Sequence, residues 1–121
     1  MKLHEHRQSR MNLVSRYGGG EIVINGERLT VPCIVAPGFL HGSWIADLDA
    51  LTLASLEPVW PIEPRILLLG AASDPKPAMR ALRATLAARK VALEAMELGA
   101  ACRTYNVLAQ EDRSVAALLF P

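Results

Sequence analysis

The sequence predicts an α/β fold in which a helix-covered sheet follows an antiparallel N-terminal half. Two observations carry this prediction. Apolar, strand-like runs alternate with helical segments after residue 64, and a hairpin signal lies near residue 25. The chain has 121 residues, 51% of them hydrophobic, which suits one compact domain. We place that domain at residues 11–121 and predict a flexible polar segment at residues 1–10.

The N-terminal half carries the clearest local signal. Asn25 and Gly26 lie between the strand-like runs 22–24 and 29–31. Both residue types tolerate the positive φ angles that a tight type I′ turn requires, so this segment is predicted to be a β-hairpin. Residues 13–17 favour a further extended segment, which a run of three glycines ends.

The middle of the chain is the hardest part to interpret. Residues 33–36 continue as extended structure after Pro32, and a proline at that place predicts an edge strand or a bent one. Residues 39–56 show neither a helical nor a strand period, so we predict a loop with a short helix near 52–56. The proline-rich stretch 57–64 is typical of an extended surface connector.

The second half predicts a β-α-β-α-β unit. The first apolar run lacks alternation, which is typical of a strand buried on both faces, and we expect it to be central and to end at Gly70. The next run reads as a second inner strand. The predicted order is strand 65–69, helix 77–89, strand 91–95, helix 98–112 and strand 114–120.

Composition excludes several classes of function. The net charge is +1, which offers no broad basic surface for nucleic acid or anionic membrane. The most apolar run, 66–72, falls far short of the roughly 20 residues that cross a bilayer, and the first residues lack a secretory signal pattern. Cys33 and Cys102 stand without a paired motif, so we expect buried free thiols in a reducing, cytoplasmic environment, with no metal or cofactor.

Two loops could carry chemistry. Residues 70–75 lie where a strand turns into a helix, so Ser73 is a candidate anion ligand there. The lysine of a phosphate-binding loop is missing, and capping of the helix by Ser73 or Asp74 is the favoured interpretation. His41 and Ser43 could serve a hydrolase, but no nucleophile-elbow motif is present and loop polarity explains them more simply.

The segment 100–108 contains residues that are indifferent helix formers, which indicates specific tertiary roles. Arg103 and Asn106 are three residues apart, with Thr104 between them, and would share a helix face. The favoured interpretation is structural: these side chains fix the helix to the N-terminal half through internal hydrogen bonds. The alternative is a binding site between the sheet and the region 39–60, with Trp44 as a further candidate.

The C-terminal part resembles a known family. Residues 101–108 and 111–119 are similar to the C-terminal signature of a small family of largely uncharacterised α/β proteins. Its eukaryotic members include a mitochondrial complex I assembly factor and an adipogenesis-associated cytosolic protein. The similarity extends through residues 34–38, Trp44 and 67–70, although Ala71 and its neighbour stand where a glycine is expected. The resemblance implies three layers with a mixed central sheet, and no established catalytic residues.

Two classes of function follow from these observations. The first is a non-enzymatic protein-interaction module, an assembly or stability factor for a respiratory or other protein complex, as the resemblance implies. The second is a small-molecule-binding protein or an unrecognised enzyme whose pocket uses Arg103 and Asn106. The sequence names neither the protein partner nor the ligand.

Overall fold

The computed structural model describes residues 11–72 and 76–121. The predicted flexible segment 1–10 lies outside the described residues. The same is true of Ser73 and the predicted helix cap at residues 73–75.

Two sheets and two α-helices make up most of the described chain. The smaller sheet is antiparallel, with strand order β1-β2-β3, and the larger sheet is mixed, with strand order β5-β4-β8-β6-β7. The elements are β1 (Val14–Gly18), β2 (Glu21–Ile24), β3 (Glu27–Thr30), β4 (Cys33–Ala36), β5 (Phe39–His41), β6 (Ile66–Ala71), α1 (Lys76–Ala88), β7 (Ala92–Glu97), α2 (Leu98–Gln110) and β8 (Val115–Leu119).

The predicted β-α-β-α-β unit is confirmed as β6-α1-β7-α2-β8. Strand β7 pairs with one side of β6 and strand β8 with the other side, both in parallel. The chain therefore steps outward through α1 and returns across β6 through α2. Because such crossovers are almost always right-handed, the two helices lie on opposite faces of the larger sheet. The result is the three-layer arrangement with a mixed central sheet.

Alternating side chains of the larger sheet fill two separate cores. On β6, Leu67 and Leu69 join the core beneath α1, whereas Leu68 joins the core beneath α2 and the smaller sheet. On β8, Leu118 and Leu119 divide between the same two cores. The sheet is buried on both faces, which explains why its inner strands read as continuous apolar runs.

The predicted hairpin is confirmed. Asn25 and Gly26 join β2 to β3 with φ angles of 50° and 87°, and Ile24 pairs with Glu27 across the turn. These positive φ angles are the ones that a type I′ turn demands and that asparagine and glycine adopt at little cost.

Two strands occupy positions other than those predicted. Strand β4 is not an edge strand, because it lies between β5 and β8; Pro32 falls just before it, where the chain passes from one sheet to the other. The predicted second inner strand, β7, is an edge strand. In β7 the exposed Ala92 alternates with the buried Leu93. Because alanine is itself apolar, the sequence at residue 92 does not show that one face of the strand is exposed.

The proline-rich segment differs from the predicted surface connector. Residues Ala54–Ile62 form a 3₁₀ helix that contains Pro58 and Pro61, and a shorter 3₁₀ helix covers Leu48–Ala50. The fixed φ of proline suits a 3₁₀ helix, so prolines spaced three apart can occupy it. Leu56 and Val59 in the longer helix are fully buried against the core beneath α1.

The sequence predicts that Gly70 ends its strand, but β6 continues to Ala71. Gly70 is instead a point at which α2 packs closely against the sheet. A Cβ atom at residue 70 would lie 2.6 Å from the Cβ of Ala101 and 3.3 Å from the Cα of Leu98. A side chain at this position would therefore push the helix away from the sheet.

Replacing Gly70 with alanine should lower the free energy of unfolding by about 1–3 kcal/mol, because an added methyl group overpacks a rigid helix contact. Urea unfolding monitored by circular dichroism measures the change. Gly38→Ala is the matched control, because nothing lies within 4 Å of a Cβ at that exposed position and its φ is not positive. Equal midpoints for the two variants would contradict the proposed contact.

Candidate functional site

The start of α2 is fixed by a carboxylate cap. Glu97 accepts hydrogen bonds from the backbone N–H groups of Gly99 at 2.9 Å and Ala100 at 3.1 Å. These bonds, more than the nearby charge of Arg103, lower the pKa of Glu97. The first free N–H groups of the helix are thus satisfied by the protein's own side chain.

Asn106 joins α2 to the edge of the smaller sheet. Its Oδ1 accepts from the backbone N–H of Val14 and its Nδ2 donates to the carbonyl of Val14, both at 2.9 Å. The amide thereby meets one residue of β1 as a neighbouring strand would. This is the internal hydrogen bonding that the structural interpretation of Asn106 expects, and it occupies one donor and one acceptor of the side-chain amide.

The preceding residue makes a second link of the same kind. Tyr105 is fully buried and its hydroxyl donates to the carbonyl of Asn12 at 2.6 Å. Asn12 in turn donates from its side chain to the carbonyl of Ala36 at 2.9 Å and from its backbone to the carbonyl of Pro37 at 3.0 Å. Burial raises the pKa of Tyr105 above its usual value, so the hydroxyl stays protonated and keeps donating.

Arg103 lies on the exposed side of α2 and lines a cleft of about 270 Å³ between that helix and β1. We call this space the β1–α2 cleft. It is lined by Val14, Ser15, Arg16, Tyr17, Cys102, Arg103 and Asn106. Four of these residues are consecutive in β1, where a regular strand would turn alternate residues away. The pairing of β1 with β2 shifts between Val14 and Arg16, so a bulge lies at this place, after which Tyr17 pairs with the buried Ile22.

Tyr17 and Arg103 meet over the first turn of α2. A Cβ atom at Gly99 would collide with the Tyr17 hydroxyl and would lie 3.2 Å from Nη1 of Arg103. Gly99 therefore leaves the space in which a phenol hydroxyl and a guanidinium group come together. Both groups are hydrogen-bond donors.

Trp44 lies on the other face of the larger sheet. Its Nε1 donates to the carbonyl of Ser55 at 2.9 Å, and its ring packs 5.9 Å from that of Phe120. It lines a shallow depression of about 640 Å³ that Trp60 also borders. The prediction of one pocket that is bordered by both the region 39–60 and Arg103 is therefore wrong, because the sheet separates the two.

The remaining candidates divide as follows. Thr104 is half-buried and lies outside the lining of the β1–α2 cleft, and Ser73 lies outside the described residues. Sequence reasoning missed Arg16 and Tyr17. In the sequence they are ordinary strand residues, and only the packing of α2 against β1 brings Tyr17 beside Arg103.

Three further features of the described residues bear on function: metal ligands, membrane-spanning helices and cysteine thiols. Among them, no three histidine, cysteine or acidic side chains stand close enough to hold a metal ion. No helix of this described part is long and apolar enough to cross a membrane. Cys33 and Cys102 are free and buried, as predicted, and burial raises their pKa values to about 12 and about 11.

Comparison with known proteins gives a family match over nearly the whole chain. The model described as "Protein of unknown function (DUF498/DUF598)" matches residues 14–120. Among curated relatives, a Bos taurus protein named NADH dehydrogenase [ubiquinone] 1 alpha subcomplex assembly factor 3 is 26% identical over 110 residues. That match covers 89% of this chain, but this chain spans only 60% of the relative's length.

Solved structures share the fold. An NMR structure of a Xanthomonas campestris protein is 31% identical with a TM-score of 0.76, and the match covers 99% of this chain and 92% of that one. A Bordetella pertussis protein described as a Mth938-like domain is 26% identical with a TM-score of 0.71, covering 93% of this chain and 87% of that one. These likenesses agree with the three-layer arrangement.

Replacing Asn106 with alanine should lower the free energy of unfolding by about 1–3 kcal/mol, because both backbone groups of Val14 lose their partner. The amide hydrogen of Val14 should also exchange faster with solvent. Thermal unfolding and NMR-detected hydrogen exchange measure the two effects. Gln110→Ala, at an exposed position of the same helix, serves as the control. Unchanged exchange at Val14 would rule out the link.

The buried thiols predict a loss of stability at alkaline pH. In the unfolded chain both thiols ionise near pH 9, whereas in the folded chain Cys33 and Cys102 stay protonated to about 12 and about 11. Because the unfolded state then binds fewer protons, the free energy of unfolding should fall as the pH rises from 9 to 11.

Urea unfolding at a series of pH values measures this slope. The Cys33→Ala/Cys102→Ala double variant should be less stable at pH 7.5, because it leaves cavities, but its stability should depend less steeply on pH. An identical slope in the two proteins would show that the thiols do not cause the loss.

Proposed function

The chain belongs to the DUF498/DUF598 family, and on that premise we propose that it is a non-enzymatic protein-interaction module that serves as an assembly or stability factor for a respiratory or other protein complex. The supporting observation is the match, across 89% of the chain, to proteins named as assembly factors of NADH dehydrogenase. The chain spans only 60% of the length of these relatives, so we propose that it shares only the part of their role that this domain performs.

The surface offers a place for a partner. Tyr17 and Val107 are large hydrophobic residues that are 45% and 54% exposed. Val107 lies one helical turn after Arg103, and Tyr17 lies against Gly99, one turn before it. Tyrosine and arginine are enriched where protein interfaces gain most of their energy. This strip of Tyr17, Arg103 and Val107 supports docking of another protein along the outer side of α2.

The same proposal includes a cytoplasmic location. Two free, buried cysteines with raised pKa values are compatible with a compartment that keeps thiols reduced.

A second candidate function is binding of a small molecule. The β1–α2 cleft favours it, because Arg103 reaches that cleft on its exposed side without taking part in the links that Asn106 and Tyr105 make to the N-terminal segment. Of the two predicted polar anchors, Asn106 is bonded to Val14, whereas Arg103 is an exposed lining residue of the cleft.

The interaction role is tested by purifying the tagged chain from its own cells in mild detergent and identifying the proteins that accompany it by mass spectrometry. Recovery of subunits or assembly intermediates of one complex in constant ratio is the expected result. Repeated recovery of the chain alone, at native expression level, would overturn the interaction role.

Val107→Glu should reduce the recovery of those subunits at least several-fold, since it places a charge in the proposed strip. Stability should change by less than about 0.5 kcal/mol, because the side chain is exposed and glutamate suits a helix. Ala84→Glu, at an exposed position of α1 on the other face of the sheet, is the matched control. Equal recovery with both variants would remove the strip from the interface.

A further inference from the structure

We propose that the surface on the α1 side of the larger sheet binds an acidic peptide segment that also carries an apolar side chain. The acidic groups of the peptide meet Arg65, Arg89 and Lys90, and its apolar side chain enters the depression that Trp44 and Trp60 border. Both tryptophans pack on the core beneath α1, on the other face of the sheet from α2. This inference and the assembly role can therefore fail independently.

The apolar half of this surface is the shallow depression of about 640 Å³ that Trp44 lines, which we call the tryptophan depression. Both tryptophans of the chain border it, and both are only partly buried, although aromatic residues make up only 5% of the sequence. Pro58 and Pro61 add apolar surface, and Glu57 is the acidic residue of the lining. Tryptophan is enriched where protein interfaces gain most of their energy, so this half suits an apolar side chain.

The basic half adjoins the tryptophan depression, because Trp60 also lines a second depression, of about 530 Å³. We call this second space the basic depression. It is lined by the exposed residues Arg65, Arg89 and Lys90, with Glu63 as the acidic lining residue. The one ion pair between residues that the structure describes lies in the smaller sheet. Three positive charges thus outnumber one negative charge here, and the complementary ligand is acidic.

Arg89 connects the two halves. Its Cζ lies over the ring of Trp60, 5.1 Å from the ring centre. This cation–π contact holds the guanidinium group against the ring and leaves its N–H donors for other partners. A guanidinium group can donate two parallel hydrogen bonds to one carboxylate. Because the same ring also borders the tryptophan depression, a carboxylate at Arg89 lies close to an apolar side chain in that depression.

The end of α1 does not explain these basic residues. Basic side chains often lie at a helix C-terminus because they interact with its last carbonyl groups. Here the carbonyl of Leu86 accepts from the backbone N–H groups of Arg89 and Val91, and the carbonyl of Ala87 accepts from that of Lys90. Lys90 also has a φ of 63°, a conformation that favours glycine. Backbone groups therefore cap the helix, and capping alone would favour glycine at residue 90.

The shape of the surface favours a peptide over a small molecule. Small-molecule sites enclose most of the ligand's surface, whereas the tryptophan depression is shallow. An extended peptide places successive side chains in neighbouring depressions and needs no deep cavity. The two depressions share Trp60 as a common wall, so neighbouring acidic and apolar side chains of one peptide can occupy them together.

The first test is selection against the immobilised chain from a phage-displayed library of random peptides of about twelve residues. Enriched peptides should carry acidic residues within a few positions of a leucine, phenylalanine or proline. The same peptides should not be enriched against the Arg89→Gln variant. Enrichment of no peptide, or of peptides without acidic residues, would contradict the proposal.

Tryptophan fluorescence then locates the binding, because the two tryptophans of the chain both border the surface. A synthetic copy of the most enriched peptide that lacks tryptophan should change the emission, with a Kd below about 100 µM. A copy with asparagine and glutamine in place of the acidic residues should bind at least about tenfold more weakly. Binding of the acidic copy without a change in emission would place the peptide elsewhere and contradict the proposal.

Charge variants assign the acidic contacts. Arg89→Gln should weaken binding about tenfold or more, and Arg89→Lys should recover only part of the affinity because lysine lacks the planar fork of donors. The neutral copy of the peptide should bind the original chain and Arg89→Gln equally. Lys90→Gly should weaken the acidic peptide several-fold while the midpoint of thermal unfolding stays equal or rises, because glycine suits this φ.

Arg80→Gln is the matched control, because Arg80 is an exposed arginine of α1 that lines neither depression. It should leave the affinity within about twofold. An equal loss with Arg80→Gln and Arg89→Gln would indicate nonspecific attraction to positive charge and would overturn the proposal. So would dimerisation of the chain alone, measured by analytical ultracentrifugation, if Arg89→Gln abolished it, because a second copy would then occupy the surface.

Discussion

The close approach of α2 to the larger sheet is the constraint on which the rest of the structure depends. The buried side of the helix consists mainly of small residues, and at Gly70 the sheet has no side chain to separate it from Ala101. Because α2 packs so closely on the sheet, Tyr105 reaches the backbone just before β1 and Asn106 reaches the backbone within β1. A bulkier contact would move both side chains beyond hydrogen-bonding distance.

The attachment of the smaller sheet is polar at its edge and apolar beneath. Ile22 and Ile24 are fully buried in the core under α2, which holds the sheet against the helix without fixing its direction along it. Direction and register come from Asn106, whose amide accepts from and donates to the single residue Val14. This pair also occupies the outer edge of β1, which would otherwise be open to another strand.

Local signals in the sequence predicted much of the fold. The Asn25–Gly26 turn and the alternation of strands and helices after residue 64 depend on neighbouring residues, and both are confirmed. The edge position of β7 depends on which strand lies beside which, and no local pattern encodes that. The same applies to Trp44 and Arg103: both were predicted as site residues, but only the sheet order shows that they face opposite sides.

The outer and inner sides of α2 perform separate tasks. Cys102 and Tyr105 are buried and maintain the core, whereas Arg103 and Val107 lie four residues apart on the exposed side and contribute little to packing. Strand β1 adds Tyr17 to that exposed side, while Asn106 keeps the strand in place. Recognition at this surface can therefore change through exposed side chains while the hydrogen bonds that position them stay intact.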